Sequence, residues 1–236
     1  MAAKKVVIAT NNAHKLEEIS RILAPLSWEF VSLGSCGQFP EPVEDADTFE
    51  GNARIKALAA LENTGLPALA DDSGLEVDAL DGRPGVYSSR YAGEDATDEE
   101  NNDKLLGELA GVPDDKRTAR FVSAVALARR GKEPIICRGA VEGSILYAPQ
   151  GENGFGYDPL FFYAPAGLSF AQMSADSKNA ISHRKRALEA LGEEPDGFIL
   201  FERYHDEANI ETVLRTTGLE RAERLFEHQY QVYWVH

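Results

Sequence analysis

The chain is poor in cysteine, in basic charge and in long apolar runs. It holds two cysteines, Cys36 and Cys137, in unrelated contexts. That excludes a disulfide framework and a cysteine-based metal motif, and leaves two ordinary reduced thiols. No apolar run approaches the roughly 20 residues that a bilayer-spanning helix needs. Met1 to Lys5 leads straight into an apolar strand-like run, without the apolar h-region and small-residue cleavage site of a secretory signal. A cytoplasmic protein without a membrane partner is expected. Lys and Arg number 24 against 39 Asp and Glu, a formal net charge of −15. Sequence-independent binding to duplex nucleic acid needs a broad basic surface, and this balance argues against it and against a nucleic-acid polymer as partner. The balance also sets a condition. A polyanionic small molecule would be repelled by the average field, so a site for one needs a local cluster of cations, a metal ion, or both.

What is present is the material of a folded α/β domain. The hydrophobic fraction is 43% over 236 residues, enough for a full core. Lys4 to Ala9 reads as a buried strand. A helix follows from about Lys15, with Leu16, Ile19, Leu23 and Leu26 on one face. Trp28 to Leu33 reads as a second strand, and Thr48 as the N-cap of a helix ending near Gly65. Residues 67–71 and 75–80 read as strands flanking a turn at Asp72-Ser73-Gly74. A helix over about 97–110 is followed by two long strands, 120–129 and 134–146, joined at Arg130-Gly131-Lys132. Leu160 to Tyr163 is strand-like, and Ser182 to Leu191 helical. The mixture of strand–helix units and hairpins predicts an α/β fold built on a mixed, twisted sheet with flanking helices and a central cleft. Residues 193–197 read as a linker-like break. The tail beyond has a candidate strand at 199–204 and one or two helices over 207–226. The expected division is a domain over 1–193 and a C-terminal extension over 194–236.

Four segments carry candidate chemistry. Thr10-Asn11-Asn12-Ala13-His14-Lys15 joins a strand to a helix. Free backbone N–H groups and the helix dipole favour an anion there, and Thr, Asn and Lys15 add donors and charge, although the same residues also make an ordinary cap. Asp71 and Asp72 end an apolar strand, and alternation sends their side chains to opposite faces. One of them facing a cleft would suit Mg²⁺, a hard cation that prefers carboxylate oxygen, or would orient a water; a plain turn is the other reading. Around Ser182, cations His183, Arg184, Lys185 and Arg186 fill a first helical turn, against the dipole. Arg184 shares a stripe with Leu188 and Leu191 and so points inward, as a residue facing a polar ligand would; a solvated basic helix end is the other reading. Phe155 lies between Gly154 and Gly156, followed by Tyr157 and Asp158; this loop would stack Phe155 on a flat base and accept a hydrogen bond at Asp158, or it is a structural turn with a buried Phe.

The order of these segments resembles the inosine triphosphate pyrophosphatase family. The matching blocks are IATNNAHKLEEISRIL (8–23), DTFEGNARIKA (47–57), ALADDSGLEVDALDGRPGVYSSRYAGEDAT (68–97), RTARFVSAVALA (117–128), GFGYDPLFF (154–162) and SADSKNAISHRKRAL (174–188). The resemblance implies Mg²⁺-dependent hydrolysis of inosine- and xanthosine-type triphosphates (ITP, dITP, XTP) to the monophosphate and pyrophosphate, in a homodimer. It implies that Thr10, Asn11, Asn12 and Lys15 hold phosphates, with Lys56 adding charge. Asp72 would be metal ligand and base for the attacking water, and Glu44 the second acidic ligand, with Glu41 competing. Ser73 would contact substrate. Phe155, Gly156, Tyr157, Asp158, Lys178, His183 and Arg184 would form the base pocket. Two departures stand out. Thr-Asn-Asn replaces the frequent Thr-Gly-Asn, which Asn11 would tolerate through its access to left-handed backbone. Gly51 stands where a glutamate is common.

Overall fold

The structure, a computed structural model, describes residues 5–24, 28–193, 222–227 and 230–235. Its centre is a seven-stranded mixed sheet in the order β2-β1-β3-β4-β5-β6-β7. β1 (Lys5–Ile8) runs parallel to both β2 (Glu29–Ser32) and β3 (Ala68–Val77). From β3 onward through β4 (Thr118–Ala128), β5 (Ile135–Ile145), β6 (Phe161–Tyr163) and β7 (Leu168–Ser169) every pairing is antiparallel. The α/β expectation with a mixed sheet holds.

The helices follow from their caps and stripes. α1 (Ala13–Leu23) is capped by Asn12, whose side chain accepts from the Lys15 N–H, and it buries Ile19 and Leu23. The Leu26 expected on that face lies outside the described residues. A short α2 (Leu33–Cys36) follows β2. α3 (Phe49–Thr64) is capped by Thr48 and ends at Gly65, whose φ of 69° closes the helix in left-handed backbone. α4 (Asp98–Glu108) opens on a full capping box between Thr97 and Glu100. α5 (Ala175–Ile181) is an additional turn of helix before α6 (His183–Glu193), where Ser182 accepts from the Lys185 N–H. The sheet is covered on both faces. Alanines do the packing on one: Ala53, Ala57 and Ala60 of α3 meet Ala68, Ala70, Ala124 and Ala126. Such small side chains let α3 approach the sheet closely. On the other face Ile19 and Leu23 of α1 and Leu188 and Leu191 of α6 pack over Ile8, Leu69 and Leu127. Each large aliphatic buried in this way contributes on the order of 1.5–3 kcal/mol.

Three expectations need correction. Asp72-Ser73-Gly74 is not a turn: β3 is one ten-residue strand, paired with β4 from Ala68↔Ala128 to Val77↔Ala119 without interruption. Local turn propensity yields there to a continuous ladder. Asn11 does not take left-handed backbone, since among the described residues the one non-glycine with positive φ is Asp81. In the tail, Ala222–Glu227 and Tyr230–Val235 form a two-stranded antiparallel ribbon, so 222–226 is strand rather than helix. The expected strand at 199–204 and the rest of the helical reading, 207–221, fall outside the described residues.

β1 ends at Ile8, which pairs with Leu69, while β3 runs on for eight more residues. The chain leaving β1 therefore turns over the exposed flank of β3 at the two aspartates, and the cleft opens there. α6 bears on the sheet at Gly139 of β5, where an added Cβ would lie 2.3 Å from both the Ala187 nitrogen and the His183 carbonyl oxygen. Backbone on backbone cannot yield. Gly139→Ala is expected to cost roughly 1–3 kcal/mol and lower the Tm by about 3–10 °C. An unchanged Tm in a calorimetric scan would mean that α6 does not lie against this residue.

Candidate active site

The two aspartates of β3 leave the sheet on opposite faces, and each recruits its own cation. Asp71 points to the α1–α6 side. Lys15 Nζ lies 3.1 Å from its Oδ2, and Arg184 Nη2 lies 3.1 Å from the same oxygen. Ser73 Oγ donates to Asp71 and accepts from Arg184, while Ser123 Oγ donates to the other Asp71 oxygen. Burial works against the charged carboxylate, but Arg184 and Lys15 outweigh it and hold the Asp71 carboxyl well below its ordinary range. Burial opposes the Arg184 charge too, and Asp71 with Glu18 reverses that. Burial dominates at Lys15 and lowers its pKa.

Asp72 points to the α3 side. Lys56 Nζ is 2.7 Å from Asp72 Oδ1 and 2.9 Å from Glu44 Oε2, so the two carboxylates converge on one ammonium. Asn52 Nδ2 donates to Asp72 at 3.4 Å. Burial pushes the Asp72 carboxyl up, against the pull of Lys56 and Lys15. Glu41 is engaged elsewhere, accepting from Asn11 Nδ2 at 2.6 Å. At the strand-to-helix junction Thr10 Oγ1 accepts from the Asn12 N–H.

The other end of the cleft is organised by Glu18 of α1. Lys178 Nζ donates to Glu18 Oε1 at 2.8 Å and to Asp158 Oδ2 at 2.6 Å, and Arg184 Nη1 donates to the second Glu18 oxygen. Asp158 also accepts from the Phe155 N–H at 2.9 Å, which shapes the loop. Burial raises the Asp158 pKa against Lys178. Lys178 Nζ sits 4.8 Å from the Phe155 ring centroid, and His14 stacks on that ring at 5.2 Å with 12° between planes. Tyr157 donates its hydroxyl to the Ser88 carbonyl. His183 stacks on Phe121 at 5.0 Å, and its Nδ1 has no hydrogen-bond partner among the described residues. Burial, then Arg184, depresses its pKa well below the ordinary value, so it is neutral.

These residues, His14, Glu18, Asn52 and Ser123 apart, line one cleft of about 350 Å³. It brings together Thr10, Asn11, Asn12, Lys15, Glu44, Lys56, Asp72 and Ser73 with Phe155, Gly156, Tyr157, Asp158, Lys178, His183 and Arg184. Three participants were not singled out from the sequence. Glu18 is given no role by any motif, although its spacing from Lys15 and His14 puts it on their side of α1. His14 lies within the 10–15 segment but has no role assigned there. Asp71 was set aside in favour of its neighbour, yet it is the more buried of the two, at 1% exposure. One electrostatic expectation also changes. The cations do not make a bare positive patch: each of Lys15, Lys56, Lys178 and Arg184 is paired with a carboxylate. Arg184 points inward, as expected, but it is matched by Asp71 and Glu18 rather than left for a ligand.

The donor set fits a hard divalent cation. Among the described residues no three His, Cys, Asp or Glu side chains converge as a complete metal site. Glu44 and Asp72 nevertheless meet at a single cationic point, and Mg²⁺ is commonly held by one or two carboxylates with ligand phosphates and waters.

Comparison with known proteins gives concordant matches. The model of the Ham1 family matches residues 6–194. The dITP/XTP pyrophosphatase of Geobacter sulfurreducens is 53% identical over 187 residues, covering 79% of this chain and 94% of its own. That of Syntrophobacter fumaroxidans is 53% identical over 191 residues, covering 81% and 82%. Among solved structures, a HAM1 protein from Coxiella burnetii superposes with TM-score 0.73 at 44% identity, over 80% of this chain and 96% of that one. The Staphylococcus aureus Ham1 protein gives 0.72 at 39%, with the same coverage.

The neutral, buried His183 has a consequence for stability. The unfolded imidazole titrates near 6.5, and the folded one well below it. As pH falls through that value the unfolded chain takes up a proton that the folded chain refuses, so stability is lost on acidification. Between about pH 7 and pH 5 the urea midpoint should fall, and His183→Gln should flatten the dependence. Equal slopes in the two proteins would contradict a neutral His183.

Proposed function

The chain belongs to the Ham1 family, and on that premise we propose that it is a nucleoside triphosphate pyrophosphatase. It would convert ITP, dITP and XTP to the monophosphate and pyrophosphate, clearing these nucleotides from the pool. The observation that carries this reading is the single cleft that joins a carboxylate–lysine site at Glu44, Lys56 and Asp72 to an aromatic, amide- and cation-lined end at Phe155–Asp158 and Lys178. The names of the relatives, dITP/XTP pyrophosphatases, point the same way.

In this reading residues 1–193 form the catalytic domain and 194–236 an extension. Asp72 and Glu44 would hold Mg²⁺, and the ion would supply charge neutralisation that the carboxylate-paired cleft and the acidic chain do not. Glu44 is preferred to Glu41 because it shares Lys56 with Asp72, whereas Glu41 is bonded to Asn11. Thr10, Asn11, Asn12 and the start of α1 hold phosphate oxygens, with Lys15 and Lys56 at its flanks. Asp72, its basicity raised by burial, takes a proton from the attacking water. The water oxygen bonds to the α-phosphorus, the bridging oxygen bond to that phosphorus breaks, and pyrophosphate leaves with the electron pair.

The base end favours a 6-oxo purine. Lys178 has three N–H donors and two side-chain acceptors, Glu18 and Asp158. The remaining donor suits an oxo group and would be left buried and unpaired against the 6-amino group of adenine. A homodimer acting in the cytoplasm, without nucleic-acid polymer or membrane, completes the proposal. No helix among the described residues is long and apolar enough to cross a membrane.

Pyrophosphate release from a panel of ITP, dITP, XTP, GTP, ATP and dUTP tests the assignment. Strong turnover of the first three with Mg²⁺, and none after chelation, is expected; binding without turnover would point to a nucleotide-responsive regulator instead. Asp72→Asn should lower kcat by roughly 10²–10⁴-fold while the protein still folds and binds nucleotide. Unchanged kcat in that variant would remove Asp72 from the chemistry.

A further inference from the structure

Helix α4 is polar, and two of its three buried residues are amides: Asn101 and Asn102, beside Leu105. Burying amides is unfavourable unless their hydrogen bonds are made, so each should have a task. Their partners are backbone groups of two segments that reach the cleft, at Ser89 and at Gly156. Asn101 Oδ1 accepts from the Ala92 N–H at 2.8 Å, and its Nδ2 donates to the Ser89 carbonyl at 3.2 Å. One side chain thus closes both ends of the 89–92 segment.

The grip on the second segment is tighter. Asp98 Oδ2 accepts from the Gly156 N–H at 2.6 Å, and Asn102 Nδ2 donates to the Gly156 carbonyl at 3.0 Å. Asp98 and Asn102 are one helical turn apart and so share a face of α4. That face holds both polar groups of a single glycine, which sits in left-handed backbone at φ 61° between Phe155 and Tyr157. Tyr157 in turn donates to Ser88, tying the second segment to the first. The capping box at Thr97 and Glu100 fixes the start of the helix where Asp98 lies. Two loops, one helix and three side chains therefore form a closed frame around the aromatic end of the cleft.

We propose that Asp98, Asn101 and Asn102 are positioning residues: Asp98 and Asn102 fix Gly156, and through it the Phe155 ring, and Asn101 fixes the 89–92 segment, at the separation that admits a purine base. The inference rests on the base-end reading above and adds to it α4, of which Asp98 and Asn101 reach the wall of the same cleft. Asp98 and Asn102 do not read the base themselves. They act through Gly156, whose left-handed backbone gives no stiffness of its own.

The test is steady-state kinetics on dITP with Asp98→Ala, Asn102→Ala, Asp98→Asn and the control Glu99→Ala. Glu99 is exposed in the same first turn and removes the same charge from the helix start. Asp98→Ala and Asn102→Ala should each raise KM about tenfold, the scale of one lost charge-assisted or buried hydrogen bond, with kcat within about twofold. Asp98→Asn keeps an acceptor oxygen for the Gly156 N–H and should recover most of the loss; Glu99→Ala should leave KM unchanged. A merely structural role would lower the active fraction, and hence apparent kcat, without moving KM, and that result overturns the proposal. Phe155→Ala separates the two layers. If it raises KM and the α4 variants do not, the frame is wrong and the base end stands; if Phe155→Ala leaves KM unchanged, the base-end reading itself fails.

Discussion

A carboxylate at 1% exposure in the middle of a sheet is tolerable only if cations come to it, and at Asp71 they come from two separate helices. Lys15 arrives from α1 and Arg184 from α6, with Ser73 and Ser123 completing the shell. Removing one partner of such a buried pair leaves a charge uncompensated, typically at about 3–5 kcal/mol. The positions of both helices over β3 are therefore bound to this one side chain. Everything on the cleft's α1–α6 side inherits its place from it: Glu18 bridges Arg184 to Lys178, Lys178 bridges to Asp158, and Asp158 shapes the Phe155 loop.

On the opposite face of the same strand the logic repeats with different consequences. Alanine packing lets α3 approach until Lys56 and Asn52 reach Asp72, and Lys56 draws Glu44 in from the loop. Two consecutive residues of one strand thus anchor two halves of one cleft, because strand geometry sends them apart and β3 overshoots β1 just where they lie. The two halves differ in kind. Around Asp71 every charge is matched internally and deeply buried, which makes a scaffold. Around Asp72 the pairing is shallower and involves an exposed loop, which leaves room for exchange with a ligand.

An acidic chain that handles a polyanion would be expected to keep unpaired lysines in its site. This chain does not, since each cleft cation is already balanced by a carboxylate. The balance makes a divalent cation the natural source of the missing positive charge, and it keeps the cleft from attracting anions indiscriminately.

Much of this was legible in the residues alone. The α/β class, most strands and helices, and the cleft-lining segments follow from hydrophobic period, caps and motif order, all of which are local signals. The unbroken β3 was not legible, because Asp-Ser-Gly has the composition of a turn and only its ladder with β4 makes it strand. Nor were the partners of the charges. Glu18 stands 160 residues from Lys178 and 166 from Arg184, and no local pattern joins them. The burial of the α4 amides was not legible for the same reason. By itself the sequence determined which elements form and which side chains are available for chemistry, because propensity and periodicity act over a few residues. Tertiary structure alone decided which charges cancel, which face of β3 each aspartate serves and what holds Gly156, because those follow from contacts between segments that the chain brings together only when it folds.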